Sequence, residues 1–404
     1  MDWGLSDLQD VACADETVTA ASALTVDHCS SRPQTSMDIR CNHGSLIHCL
    51  RASHSQDAPD LLAIGGEHSI AILQVLDTTA TQIATFNVGC RITAIAWSSR
   101  TVSPSLSDDW SIELSVATAD FGLHLLSKSA SSSEEIFPFG GGLSGHHGKV
   151  TGMTFSGGND QDSPRYVATV SDDKMLMVWD LETRPAGGSP SAGSSRAGNR
   201  SFLDRPQPTA YAIPFPHPLT SVSSHPLSSK EFLVSDNHGS IFLTDWRSDP
   251  EEDPRNLNVV ELVEPRALSD AVSGIGPVGA AAWRADNPDV IGATYGSRYS
   301  IWDLSNLHGG KPYIGGPGIV EGGHQFRWSP TFSEYFALST KNPSKGAVIH
   351  VHNTSYMGAQ PTVFTLAPRP LQVRDFDFLA TSGIPRIAAA VGNEAVIFFI
   401  GVES

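Results

Sequence analysis

Positive charge is scarce in this sequence: 26 Lys and Arg stand against 43 Asp and Glu, a net charge of −17. Nucleic-acid binding rests on Lys and Arg at phosphates, and anionic membranes attract basic surfaces, so both are disfavoured as partners. No basic patch of convincing size is visible along the chain. Cysteine is also sparse. Cys13, Cys29, Cys41, Cys49 and Cys90 lie in the first quarter. Their odd number and the lack of a C-x-x-C pair argue against a disulfide framework or a zinc site. They read as reduced thiols, some packed as small hydrophobes. No apolar run approaches the ~18 residues of a membrane span. The opening segment, Met1 to Glu16, has neither the basic nor the apolar region of a secretory signal. An intracellular, soluble protein is expected. Catalytic motifs are missing too: there is no G-x-S-x-G, no H-E-x-x-H, no phosphate-binding loop and no kinase signature set. The glycine runs at Gly140–Gly142 and Gly315–Gly318 fall between predicted strands and read as connectors. No enzyme, cofactor or small-molecule substrate is expected.

What the sequence does contain is a repeat. Its clearest copy runs from Gly145-His146 through the alternating Val150–Ser156, then Tyr166–Ser171 with the Asp172-Asp173 turn, then Met175–Val178 into Trp179-Asp180. Apolar residues at every second position turn one face of each strand into a sheet-on-sheet core. Such a Gly-His to Trp-Asp unit is the blade signature of a WD propeller. A buried polar chain is expected within it, formed by His146, Asp173, Trp179 and either Ser171 or Thr169, with Ser171 taken as the member. A chain of this kind stabilises a blade when every member is satisfied. For His146, structural hydrogen bonding outweighs a role as catalytic base or metal ligand, because no partner constellation surrounds it. His350 and His352 share a strand face, but no third ligand lies nearby in the repeat, so no metal is expected.

Six weaker copies complete the pattern. Inner strands are predicted to start near Leu46, Arg91, Val150, Leu219, Val278, Gly323 and Leu371. Their mean spacing of about 54 residues exceeds the roughly 40–45 of a minimal blade, so loops carry the excess. Short strands bounded by Gly, Ser, Asn and Asp, with no sustained helical period, make the fold all-β. The prediction is one seven-bladed WD40-type β-propeller over 21–404. The last repeat ends at Phe399-Ile400 with no room for a fourth strand, and Ala23–His28 is expected to supply it and close the ring. Residues 1–20 read as an acidic, flexible tail, with an amphipathic helix folding onto a partner as the alternative. Residues 184–208, rich in Gly, Ser, Pro and Arg, read as a flexible insertion in the third blade open to phosphorylation, and Asp249–Pro254 as a solvated loop.

Several units go beyond the generic repeat. Gly89–Ser98 (GCRITAIAWS), Val167–Glu182 (VATVSDDKMLMVWDLE), Gly323–Pro330 (GHQFRWSP) and Phe332–Leu338 occur in this order. With the Leu24–His28 opening and the Val391–Phe399 ending, they resemble the small thirty-seven-kilodalton-class WD-repeat nucleoporins. The resemblance covers nearly the whole chain from about Ala20. Its most discriminating parts are the Ile-Ala-Trp-Ser and Phe-Arg-Trp-Ser units. The N-terminal extension and the 184–208 insertion depart from the family and look like elaborations of a fungal kind. The resemblance implies a non-catalytic adaptor of the Y-shaped outer-ring scaffold of the nuclear pore, docked on a large propeller-plus-α-solenoid nucleoporin and other Y-complex subunits. It implies residence at the nuclear envelope and support of mRNA and protein transport. Partner-binding residues stay unknown. The alternatives are a WD-repeat ubiquitin-ligase substrate receptor or a histone-binding chromatin subunit, whose acidity would suit basic tails at the channel.

Overall fold

A computed structural model describes residues 38–158, 161–182, 206–247, 259–263, 279–307, 309–356 and 358–401. The expected tail at 1–20, the strand expected at Ala23–His28, almost all of the 184–208 insertion and the Asp249–Pro254 run lie outside the described residues.

The inner strands are Cys49–Ala52, Ile92–Trp97, Val150–Phe155, Leu219–Ser224, Gly279–Trp283, Gln325–Trp328 and Val373–Phe378. Each begins within three residues of its predicted start. From each, the chain meanders outward through antiparallel neighbours, giving seven four-stranded sheets. The alternation seen in the sequence becomes two-sided burial in the middle strands, because each sheet is covered by the blades before and after it. Leu61–Gly65, Val290–Tyr295 and Arg386–Val391 are buried at every position. Outer strands such as Thr209–Pro214 are mostly exposed.

Ring closure uses an N-terminal strand, but a different one from that expected. Ile39–Asn42 is the outer strand of blade 7 and pairs antiparallel with Glu394–Phe399, with Ile39 opposite Ile397 and Asn42 opposite Glu394. Ile39 and Cys41 pack against the core shared by blades 1 and 7. Arg40 faces out, bonding Glu394 at 3.2 Å and the Leu366 carbonyl of blade 6 at 3.2 Å. Ala23–Val26 has the stronger strand pattern, yet an outer strand is half solvated. Two inward side chains suffice, so apolar alternation does not single out the strand that closes the ring.

The inner strands carry a second shared feature. In blades 2, 3, 4 and 7 the register slips after the first residue, between Ile92 and Ala94, Val150 and Gly152, Leu219 and Ser221, and Val373 and Asp375. A bulge leaves one residue unpaired and re-aims its side chain. The residues so released, Thr93, Thr151, Thr220 and Arg374, all line the central channel.

Candidate functional site: the central channel and its seams

Blade 3 contains the polar chain read from the sequence, with one change of membership. Asp173 Oδ2 lies 3.0 Å from His146 Nδ1, and His146 Nε2 lies 2.8 Å from Thr169 Oγ1. Trp179 donates its Nε1–H to the same Thr169 oxygen at 3.0 Å. The carboxylate only accepts, so His146 carries its proton on Nδ1 and accepts the Thr169 hydroxyl proton at Nε2. Burial pushes the His146 imidazole below its ordinary range in spite of Asp173, which keeps it neutral. Ser171 stands outside the chain. Its hydroxyl instead accepts the Asp173 N–H at 3.1 Å, shaping the turn that presents Asp173. Ser171 shares the sheet face of Thr169, so position along the strand decides: Thr169 lies two residues from Val167, which faces Trp179, and Ser171 lies four. The Trp-Asp of blade 5 forms no such chain, since Trp302 donates to the Gly310 carbonyl at 3.0 Å.

The seams between blades are laced by inner-strand side chains. Asp375 and Asp377, two residues apart in blade 7, accept the N–H groups of Leu50 (2.9 Å) and Ala52 (3.2 Å), two residues apart in blade 1. Ser221 and Ser223 of blade 4 do the same for Ala281 (3.1 Å) and Trp283 (3.2 Å) of blade 5. An inner strand has a free edge toward the channel, and these side chains satisfy donors that would otherwise be orphaned. The two discriminating Trp residues serve as a matched pair. Trp97 reaches the Arg51 carbonyl of the preceding blade at 3.0 Å, and Trp328 the Ala282 carbonyl of its preceding blade at 3.2 Å.

The channel encloses about 1130 Å³. Two carboxylates, Asp375 and Asp377, meet Arg51, Arg327 and His54 in it. Buried Asp375 takes a bifurcated bond from Arg51 (2.8 and 2.7 Å) and a bond from the Phe376 N–H (2.9 Å), with Arg327 at 3.9 Å. His54 approaches Asp377 at 3.5 Å while donating to the Phe378 carbonyl at 3.1 Å. Burial opposes the charge of His54, but Asp377 outweighs it and raises the imidazole above its ordinary range. Burial and the like charge of Arg51 pull Arg327 down to about 10, so it stays a cation at neutral pH. Backbone donors and arginine occupy the lone pairs of Asp375, which leaves it no capacity to act as a base. The cluster is a joint between blades.

Six cationic side chains line the channel against three acidic ones, the reverse of the chain as a whole. The sequence reading missed this. Arg91 and Lys149 each directly precede an inner strand. That position, repeated from blade to blade, was the available signal. Among the described residues no three His, Cys, Asp or Glu side chains converge as a metal set. His352 stacks on Phe336 with centroids 4.8 Å apart and meets the edge of Tyr299. Cys41, Cys49 and Cys90 are free thiols, and no described helix is long and apolar enough to cross a membrane.

No family model matches the chain. Among curated proteins, mouse Nucleoporin Nup37 is 23% identical over 318 residues, covering 76% of this chain and 81% of its own length. Human Nucleoporin Nup37 is 25% identical over 300 residues, covering 72% and 76% respectively. Among solved structures, Raptor from Chaetomium thermophilum superposes with a TM-score of 0.63 at 12% identity. That match covers 91% of this chain but 29% of Raptor, and it speaks to the propeller fold alone. Seven four-stranded blades in a ring make the chain a seven-bladed β-propeller, and over about three quarters of its length it is similar to mouse and human Nucleoporin Nup37.

Proposed function

We propose that this protein is a non-catalytic adaptor of the nuclear pore's outer-ring scaffold, docking as a rigid disc onto a large propeller-plus-solenoid nucleoporin. In that position it supports transport of mRNA and protein. The similarity to Nup37 over about three quarters of the chain carries the reading. The channel chemistry agrees with it, because the buried carboxylates are spent on joining blades. A laced, closed ring also loses little conformational entropy on docking. The competing histone-tail reading calls for an acidic channel, whereas this channel is net cationic.

The test is affinity purification of the tagged full chain, together with its fluorescence in cells. Co-purification of outer-ring nucleoporins and a nuclear rim are expected. Recovery of chromatin or ubiquitin-ligase subunits without any nucleoporin would overturn the proposal.

A further inference from the structure

Four cations gather at one end of the channel. Arg91 and Lys149 stand immediately before the inner strands of blades 2 and 3, and Arg374 is the bulged residue of blade 7. Lys341 comes from the turn after the second strand of blade 6. Strands alternate in direction, so turns that feed inner strands and turns that follow second strands share one face. Among the described residues none of the four makes an ion pair, in contrast to Arg51 deeper in the channel. Desolvation at the channel wall, then the like charge of Lys149 and Arg374, lower the Lys341 ammonium below the ordinary range, with Asp375 pulling the other way. Like charges gathered at one mouth repel one another, and a multivalent anion bound there would relieve that repulsion. The neighbouring His324 Nδ1, Gln325 Oε1 and Thr93 Oγ1 are buried without a hydrogen-bond partner.

We propose that this mouth binds a compact, multiply charged anion of the phosphate class. The cations come from separate blades around one cavity and so can reach several phosphate groups at once. A peptide is the poorer fit. None of the large exposed apolar side chains of the described residues lines the channel, so its mouth offers charge rather than an exposed apolar anchor point. The shared chemistry is the phosphate cluster, whether on a free small molecule or on a phosphorylated partner. The inference does not rest on the nucleoporin reading.

The test titrates inositol hexakisphosphate into the full chain at about 0.15 M salt by calorimetry, and follows thermal unfolding in parallel. Saturable one-site binding and a raised Tm are expected. The double variant Lys149→Met/Lys341→Met is expected to bind at least about tenfold more weakly, since two charge-assisted contacts are lost. Its ligand-free Tm is expected to equal or exceed that of the parent, which separates loss of the site from loss of the fold. Lys345→Met removes a cation paired with Glu321 outside the channel and is expected to bind like the parent. A phosphopeptide that displaces the probe assigns the phosphate to a partner, and one that fails to displace it assigns it to a small molecule. Absence of saturable binding, unchanged affinity in the double variant, or better binding of an unphosphorylated Glu-rich peptide would each refute the site.

Discussion

Thr169 serves both neighbours through a single oxygen, accepting from Trp179 and donating to His146. Replacing it with Val keeps the shape and leaves a fully buried indole N–H and an imidazole nitrogen without partners. Each orphaned group costs about 1–3 kcal/mol, so Thr169→Val is expected to destabilise the ring by about 2–4 kcal/mol in urea unfolding. Ser171→Ala removes only a turn contact and is expected to cost less than about 1 kcal/mol. Equal losses in the two variants would contradict the assignment of Thr169. His352 supplies a pH test. Burial holds its imidazole at about 4, below the ordinary 6.5, so the folded state favours the neutral ring. Its contribution is complete above pH 6.5 and is lost as pH falls toward 4. Between pH 7 and 5 this amounts to about 2 kcal/mol. His352→Phe is expected to lose correspondingly less stability over that interval, the ring stack on Phe336 being retained. Identical pH slopes for parent and variant would show that another group titrates.

At the scale of strands, closure rests on two joints. Ile39–Asn42 completes blade 7, and Asp375 with Asp377 ties blade 7 to blade 1. Asp375→Ala leaves Arg51 and the Leu50 N–H unpaired and is expected to cost about 3–5 kcal/mol, as for other broken buried ion pairs. Removal of residues 1–42 deletes the outer strand and bares the edge of Glu394–Phe399. A lower Tm and concentration-dependent association are expected from such an edge. Truncation that stops at His28 keeps Ile39–Asn42, and the difference between the two truncations measures that strand. The middle strands were readable from the sequence because two-sided burial imposes continuous apolar character, as in Arg386–Val391. The closing strand was not, because a four-residue half-solvated edge needs only Ile39 and Cys41 pointing inward. Trp97 and Trp328 were picked out as discriminating residues, but their shared bond to the preceding blade appears only when the blades are set side by side.

At the scale of the whole ring, charge has two signs in two places. The chain carries −17 overall, while Arg91, Lys149, Lys341 and Arg374 crowd one channel mouth. These four are far apart in sequence and lie on no basic run, which is why the chain shows no basic patch when read linearly. Bulges and turns bring them together, and such convergence is a property of the closed ring. Both the acidic exterior and the cationic mouth repel themselves, and added salt screens both. The exposed ion pairs, such as Arg40–Glu394, weaken in salt as well, but pairs of that kind contribute about 0–1 kcal/mol each. Self-repulsion therefore dominates, and the Tm of the ligand-free chain is expected to rise between about 0.02 and 0.3 M NaCl, by roughly 2–4 °C for each kcal/mol relieved. Sodium sulfate at equal ionic strength is expected to raise it further than chloride, because a divalent anion also neutralises the mouth. In Lys149→Met/Lys341→Met that extra increment is expected to shrink while the chloride response stays. A Tm that falls with salt would mean that surface ion pairs hold the ring together, and would remove the electrostatic basis for an anion at its mouth.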